Sequence, residues 1–255
     1  MTPPVIYLHG AFCGGWAFDA FRRRLADAGF EGLAPDLRGH EEGGVGPSVA
    51  GVSMNDYADD VVALARGLAA PPILVGHSLG GLVAQLAAQK TKVAALILLA
   101  PSAPWGVSGV SLEEAASAFG LYALGPFWAQ AIPPDRTLAR LYSLDRMPPD
   151  TRDRALTRMT AESGRALFET LNWWLDPFMT TRVDPNRIDA PVLVAAGGAD
   201  IIHPASTVRQ TAERLGGDFR IFPDMSHWLL GEAGWETVAD ACIDWLAPRV
   251  CAAAA

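Results

Sequence analysis

The sequence predicts an α/β fold: a doubly wound, mainly parallel sheet of about six strands, flanked by helices and interrupted by one inserted helical cap. Three observations predict it. Short runs rich in Val, Ile and Leu, apolar on both faces, suit parallel strands covered by helices on both sides. These runs alternate with amphipathic stretches, as a βαβα chain requires. The alternation breaks once, between about Pro104 and Val183, where the chain is helical in pattern, punctuated by proline and rich in large rings.

The strand runs are Val5 to Leu8, Gly32 to Ala34, Ile73 to Val75, Val93 to Leu99, Val192 to Ala195 and Arg220 to Phe222. Between them, Phe18 to Ala28, Met54 to Ala69, Leu82 to Gln89, Ser206 to Leu215 and Glu236 to Leu246 carry helical periodicity. The predicted organisation is a core of residues 1–103 and 184–251, a cap of residues 104–183 and a tail of residues 252–255. In such a fold the ligand site lies beyond the carboxyl ends of the strands, so chemistry belongs just after them.

Composition narrows the function classes. Half of the 255 residues are hydrophobic, enough for one large core, and the formal net charge is -8. Basic residues are scattered rather than clustered, which argues against nucleic acid as a partner. No apolar run approaches the roughly 18 residues of a membrane span. Met1-Thr2-Pro3-Pro4 runs straight into Val5, without a basic leader or long apolar region, so the sequence reads as cytoplasmic. Cys13, Cys242 and Cys251 are odd in number and lack metal-ligand spacing, so neither a disulfide framework nor a metal site is expected. The oligomeric expectation is a monomer or homodimer.

The strongest local signal is Gly76-His77-Ser78-Leu79-Gly80 directly after the Ile73 run and before an apolar helix. This is a G-x-S-x-G elbow, in which a sharp strand-to-helix turn projects the serine above the sheet and glycines remove side chains that would clash. A serine hydroxyl is a poor nucleophile unless a base takes its proton and a carboxylate orients that base. His227, past the last strand in Ser226-His227-Trp228, is the expected base. His9 and His77, on strand ends, read as structural hydrogen bonding to nearby backbone, His40 reads as loop packing, and His203 is a minor competitor. Asp200 follows the Val192 run and is the expected acid, with Asp224 as the alternative.

An acyl-transfer site also needs two amides for the oxyanion, each worth on the order of 3 kcal/mol of barrier stabilisation. The amide of Leu79 supplies one, and that of Ala11, in the Leu8-His9-Gly10-Ala11-Phe12 turn after the first strand, supplies the other. Phe12, Trp105, Trp128 and Trp228 are the candidate substrate-lining residues, taken from the many rings in and near the cap. No cofactor is required, and the partner is a small-molecule ester.

At these residues the chain resembles the α/β-hydrolase superfamily from Val5 to Leu246, with the cap weakly matched. The matching motifs are His9-Gly10-Ala11, Asp36-Leu37-Arg38-Gly39-His40, Gly76-His77-Ser78-Leu79-Gly80-Gly81, Gly197-Gly198-Ala199-Asp200 and Ser226-His227. The resemblance is to the small serine-esterase branch with plant methyl-ester esterases, hydroxynitrile lyases and bacterial carboxylesterases. It implies hydrolysis of a small to medium, largely apolar carboxylic ester through an acyl-enzyme. Ser78 stands where dehalogenases and epoxide hydrolases of the superfamily have aspartate. Gly10 and Trp228 stand where hydroxynitrile lyases of the branch have threonine and lysine. Another acyl bond (lactone, thioester or the C–C bond of a diketone), acyl transfer, lyase chemistry and ligand binding without turnover stay open as alternatives.

Overall fold

The computed structural model describes residues 2–41, 48–108 and 120–250. Phe119, Cys251 and the alanine tail therefore lie outside the described residues. The core elements, in order, are β1 (Val5–Leu8), α1 (Asp19–Asp27), β2 (Gly32–Leu33), α2 (Met54–Arg66), β3 (Ile73–His77), α3 (Leu79–Ala88) and β4 (Ala95–Leu99). After the insertion come β7 (Val192–Gly197), α6 (Ala205–Leu215), β8 (Asp218–Phe222) and α7 (Trp235–Val250). The insertion holds β5 (Ala131–Ile132), α4 (Pro149–Arg158), β6 (Glu162–Ser163) and α5 (Gly164–Leu171).

The main sheet runs β2-β1-β3-β4-β7-β8, and every pairing in it is parallel. The predicted α/β class is the observed one. Each of the six apolar runs read as strands lies in this sheet, although β4 starts at Ala95 rather than Val93 and α3 starts at Leu79 rather than Leu82. One difference is qualitative. The insertion, expected without strands, contains the β5–β6 antiparallel pair, Ala131 facing Ser163 and Ile132 facing Glu162. Two residues per strand are too few to produce an alternating pattern against a helical background.

Strand alternation divides the core into two layers. Val5, Tyr7, Ile73, Val75, Ile97, Leu193 and Ala195 face one side, where they join Phe21 and Leu25 of α1 and Val238, Trp245 and Leu246 of α7. Ile6, Leu8, Leu74, Leu96, Leu98, Val194 and Ala196 face the other, against α2, α3 and α6. Burying one such aliphatic side chain is worth about 2 kcal/mol, so both layers hold the sheet. A third, smaller cluster of Phe127, Ile132 and Leu167 sits in the insertion and receives Phe12 from the turn after β1.

Helix α2 is set by a capping box, with Ser53 as N-cap and Asp56 accepting from the Ser53 amide. Glu169 of α5 adds its carboxylate to the same helix start, accepting from the Met54 amide at 2.8 Å and from the Ser53 hydroxyl at 2.8 Å. A negative charge at a helix N-terminus is stabilising, and here it ties the insertion to the core. No helix among the described residues is long and apolar enough to cross a membrane.

Candidate active site

The loops that follow β3, β7 and β8 bring three side chains within hydrogen-bond distance of one another. Ser78 occupies the turn between β3 and α3 with φ 53° and ψ -124°, a conformation that non-glycine residues hold only under constraint. Its amide donates to Leu99 O at 3.0 Å and its carbonyl accepts from Ser102 N at 2.9 Å, so the end of β4 provides that constraint. Close approach makes Gly76 and Gly80 necessary. A Cβ on Gly76 meets Gly80 O at 2.4 Å, and one on Gly80 meets Leu8 O at 2.2 Å.

Hydrogen bonds join the three residues that the sequence singled out. His227 Nε2 is 3.0 Å from Ser78 Oγ, and His227 Nδ1 is 2.9 Å from Asp200 Oδ2. A carboxylate only accepts, so Nδ1 carries the proton and Nε2 is the acceptor facing the serine hydroxyl. The other Asp200 oxygen accepts from the amides of Ile202 at 2.8 Å and His203 at 2.9 Å. All three side chains are buried, with Ser78 9% exposed. Burial opposes charge on both partners. The mutual field and hydrogen bond outweigh it, holding Asp200 below the ordinary carboxylate range and His227 above the ordinary imidazole range.

Asp224, the alternative acid, is exposed, and its carbonyl accepts from Arg146. His203 is held otherwise: its Nδ1–H donates to Ala100 O at 2.8 Å, leaving Nε2 at 3.5 Å from Ser102 Oγ. Burial and the field of His227 push it down to about 4, so it is neutral at pH 7. His77 donates from Nε2 to the His227 carbonyl at 2.9 Å and, chiefly through burial, is pushed down to about 3. His9 bridges Gly10 O and the Leu37 amide.

The loop carrying His227 is held by groups that sequence reasoning missed. Glu232 accepts from the amides of Ser226 at 2.7 Å and Trp228 at 2.8 Å, the residues on either side of His227. Ser226 Oγ lies 2.6 Å from Asp145 Oδ1 and 2.9 Å from Glu232 Oε1. Glu232 stands five positions after His227, but nothing in that spacing marks it. His40, read from sequence as loop packing, instead donates to Glu162 at 3.1 Å.

Leu79 is the first residue of α3, where an amide has no partner within the helix and the dipole favours negative charge. The Ala11 amide has no partner among the described residues, whereas the Phe12 amide next to it donates to Glu162. Phe12 packs on the Phe127 cluster. Trp228 is buried against His77 and Trp16. Trp105 stands edge-on to Trp173, and Trp128, 45% exposed, stands against Phe127 and Phe168. No group of three His, Cys, Asp or Glu side chains among the described residues is arranged as metal ligands.

A separate groove of about 180 Å³ lies beside Trp16, with Asp19 and Asp36 facing Arg22 and Arg158. Its charges balance, Asp19 lying 3.7 Å from Arg22 and 3.8 Å from Arg158, so it offers no selective hold on a charged ligand.

This parallel sheet with a strained serine elbow and a serine–histidine–aspartate hydrogen-bond chain defines an α/β-hydrolase. The chain belongs to the alpha/beta hydrolase family, whose sequence profile matches residues 5–241. Two curated relatives are a 2-(acetamidomethylene)succinate hydrolase of Mesorhizobium japonicum, 40% identical over 34% of this chain and 31% of its own, and a pyrethroid hydrolase of Sphingobium wenxiniae, 38% identical over 37% of this chain and 34% of its own. The matched stretch thus spans about a third of each relative's length. A methylesterase structure from Arabidopsis superposes with a TM-score of 0.74 over 96% of this chain and 99% of its own at 17% identity, which shows the shared fold.

Proposed function

We propose that this protein is a carboxylic-ester hydrolase acting through an acyl-enzyme on Ser78. The observation that carries the reading is the continuous relay from Ser78 Oγ through His227 to Asp200, at 3.0 and 2.9 Å. Ser78 Oγ attacks the ester carbonyl as its proton passes to His227 Nε2, and the carbonyl electron pair moves onto oxygen. The amides of Ala11 and Leu79 hold that oxyanion. Collapse breaks the C–O bond to the alcohol, which leaves with the proton from His227. Water then repeats the sequence on the acyl-enzyme, with His227 as base, and releases the acid. Asp200 keeps His227 in the right tautomer and stabilises its charged form.

The substrate class is a small to medium, largely apolar ester, and the route calls on no cofactor. Residues 104–183 act as a cap, with Phe12, Trp105 and Trp128 as apolar lining and Trp228 as a buried wall behind His77. Phe12 has the firmest support, because it joins the turn after β1 to the Phe127 cluster. The pyrethroid hydrolase among the relatives is consistent with ester cleavage. A second reading, cleavage of another acyl bond, draws on the relative named for an acetamidomethylene substrate.

The test pairs intact-mass analysis after a fluorophosphonate probe with turnover of p-nitrophenyl esters of rising acyl length, for wild type and Ser78→Ala. Stoichiometric labelling and turnover that both vanish in Ser78→Ala are expected. A wild type that neither labels nor turns over rejects the esterase reading, and an amide, lactone and thioester panel decides the second.

A further inference from the structure

The side chain of Glu162 is fully buried in the insertion, yet its hydrogen bonds reach the core. Its carboxylate accepts from Tyr57 Oη at 2.7 Å, the Ser163 amide at 2.7 Å, His40 Nε2 at 3.1 Å and the Phe12 amide at 3.3 Å. A buried carboxylate is costly unless its oxygens are satisfied, and a cap needing only packing is served as well by an apolar residue. Here four donors from separate parts of the chain satisfy it. Burial opposes its charge, but the field and hydrogen bond of His40, with those of Tyr57 and Ser163, hold it below the ordinary carboxylate range.

Phe12 is held on both sides of its backbone. Its carbonyl accepts from the Thr160 amide at 3.0 Å while its own amide points to Glu162. Its φ is 63°, left-handed backbone that a bulky residue holds only when its surroundings over-determine it. With the Phe12 N–H engaged by Glu162, the Ala11 amide is left for a ligand.

Resting on the ester-hydrolase reading above, we propose that Glu162 is a positioning residue that fixes the Phe12 turn from the insertion, and thereby selects the Ala11 amide as oxyanion donor. It touches neither substrate nor reacting atoms. Its loss therefore weakens transition-state stabilisation more than ground-state binding.

The experiment measures kcat and KM for a p-nitrophenyl ester, and Ki for a trifluoromethyl ketone, in the full chain and its Glu162→Gln and Tyr57→Phe variants. The ketone adds Ser78 Oγ to its carbonyl carbon and leaves a hemiketal oxyanion, so its Ki reports the oxyanion site. Glu162→Gln is expected to lower kcat about tenfold or more with KM within about twofold, and to raise the ketone Ki by a similar factor. Tyr57→Phe, which removes one donor to Glu162, is expected to move kcat and Ki together by a smaller factor, and it decides the matter if Glu162→Gln does not fold. Wild-type kcat and Ki in the folded variants overturn the positioning proposal alone. A wild type without ester turnover or ketone inhibition overturns the ester-hydrolase reading, and this proposal with it.

Discussion

Glu232 grips the loop of His227 by both amides that flank the imidazole, at 2.7 Å from Ser226 N and 2.8 Å from Trp228 N. The groups around the imidazole are Asp200, Glu232 and Asp145, which favour its charge, and the neutral rings of His77 and His203. On the proposed ester-hydrolase reading, His227 works as a base only when neutral, so kcat/KM is expected to rise with pH through its raised pKa. Replacing Glu232 by Gln removes one negative charge and one amide acceptor. The acid limb of the kcat/KM profile is expected to move to lower pH, with kcat down on the order of tenfold to a hundredfold. Glu232→Asp keeps the charge and is expected to keep the limb. An unmoved limb in Glu232→Gln assigns Glu232 a purely structural part.

Asp200 uses both oxygens, one on the His227 ring and one on two loop amides. Asparagine in its place preserves shape but offers an N–H toward Nδ1, which favours the tautomer with the proton facing Ser78. The expected result is a fall in kcat of about 10³-fold or more, with a melting temperature within a few degrees of wild type. Steady-state kinetics and thermal melts on the same preparation check it. Near wild-type kcat would return the acid role to Asp224, despite its exposure.

How far the sequence reveals this arrangement depends on how local each signal is. The strands β1, β3, β4 and β7 are legible because their Val, Ile and Leu runs are apolar and buried on both faces, whereas the edge strands β2 and β8 are only partly buried; Ser78, Asp200 and His227 are legible because each follows a run read as a strand. Glu162 and Glu232 are not. Glu162 meets His40 across 122 positions and Phe12 across 150, so no local spacing can announce it. The β5–β6 pair is invisible for a different reason: two residues per strand hold no period. His40 looked like loop packing because its charge partner lies in the insertion, the segment with the weakest pattern.

The elbow and the turn after β1 meet at Gly80, whose hydrogen occupies the place where a Cβ falls 2.2 Å from Leu8 O and 2.4 Å from His9 O. Both contacts are backbone, so relief requires moving α3 away from the end of β1. Gly80→Ala is expected to destabilise by about 1–3 kcal/mol and to cut kcat about a hundredfold, because it spreads the Leu79 and Ala11 amides. Urea denaturation and ester kinetics measure the two effects separately. A folded variant with wild-type kcat shows that the turn yields without disturbing the site.

The buried Glu162–His40 pair makes stability depend on pH from both sides. Burial opposes the charge on each, but their mutual field and hydrogen bond hold Glu162 below its ordinary 4.5 and His40 above its ordinary 6.5. A depressed carboxylate stabilises above its unfolded pKa, and that contribution is lost as pH falls through the folded value. A raised imidazole stabilises below its unfolded pKa, and that contribution is lost as pH rises through the folded value. The pair therefore contributes most between about pH 4.5 and 6.5. The neutral reference is the double variant Glu162→Gln, His40→Gln, which removes both charges without leaving one stranded. The difference in melting temperature between wild type and this variant is expected to be largest for wild type inside that window and to shrink on either side. A difference that stays flat from pH 4 to 9 means that the pair is held by packing and neutral hydrogen bonds, with no stabilising charge between its members.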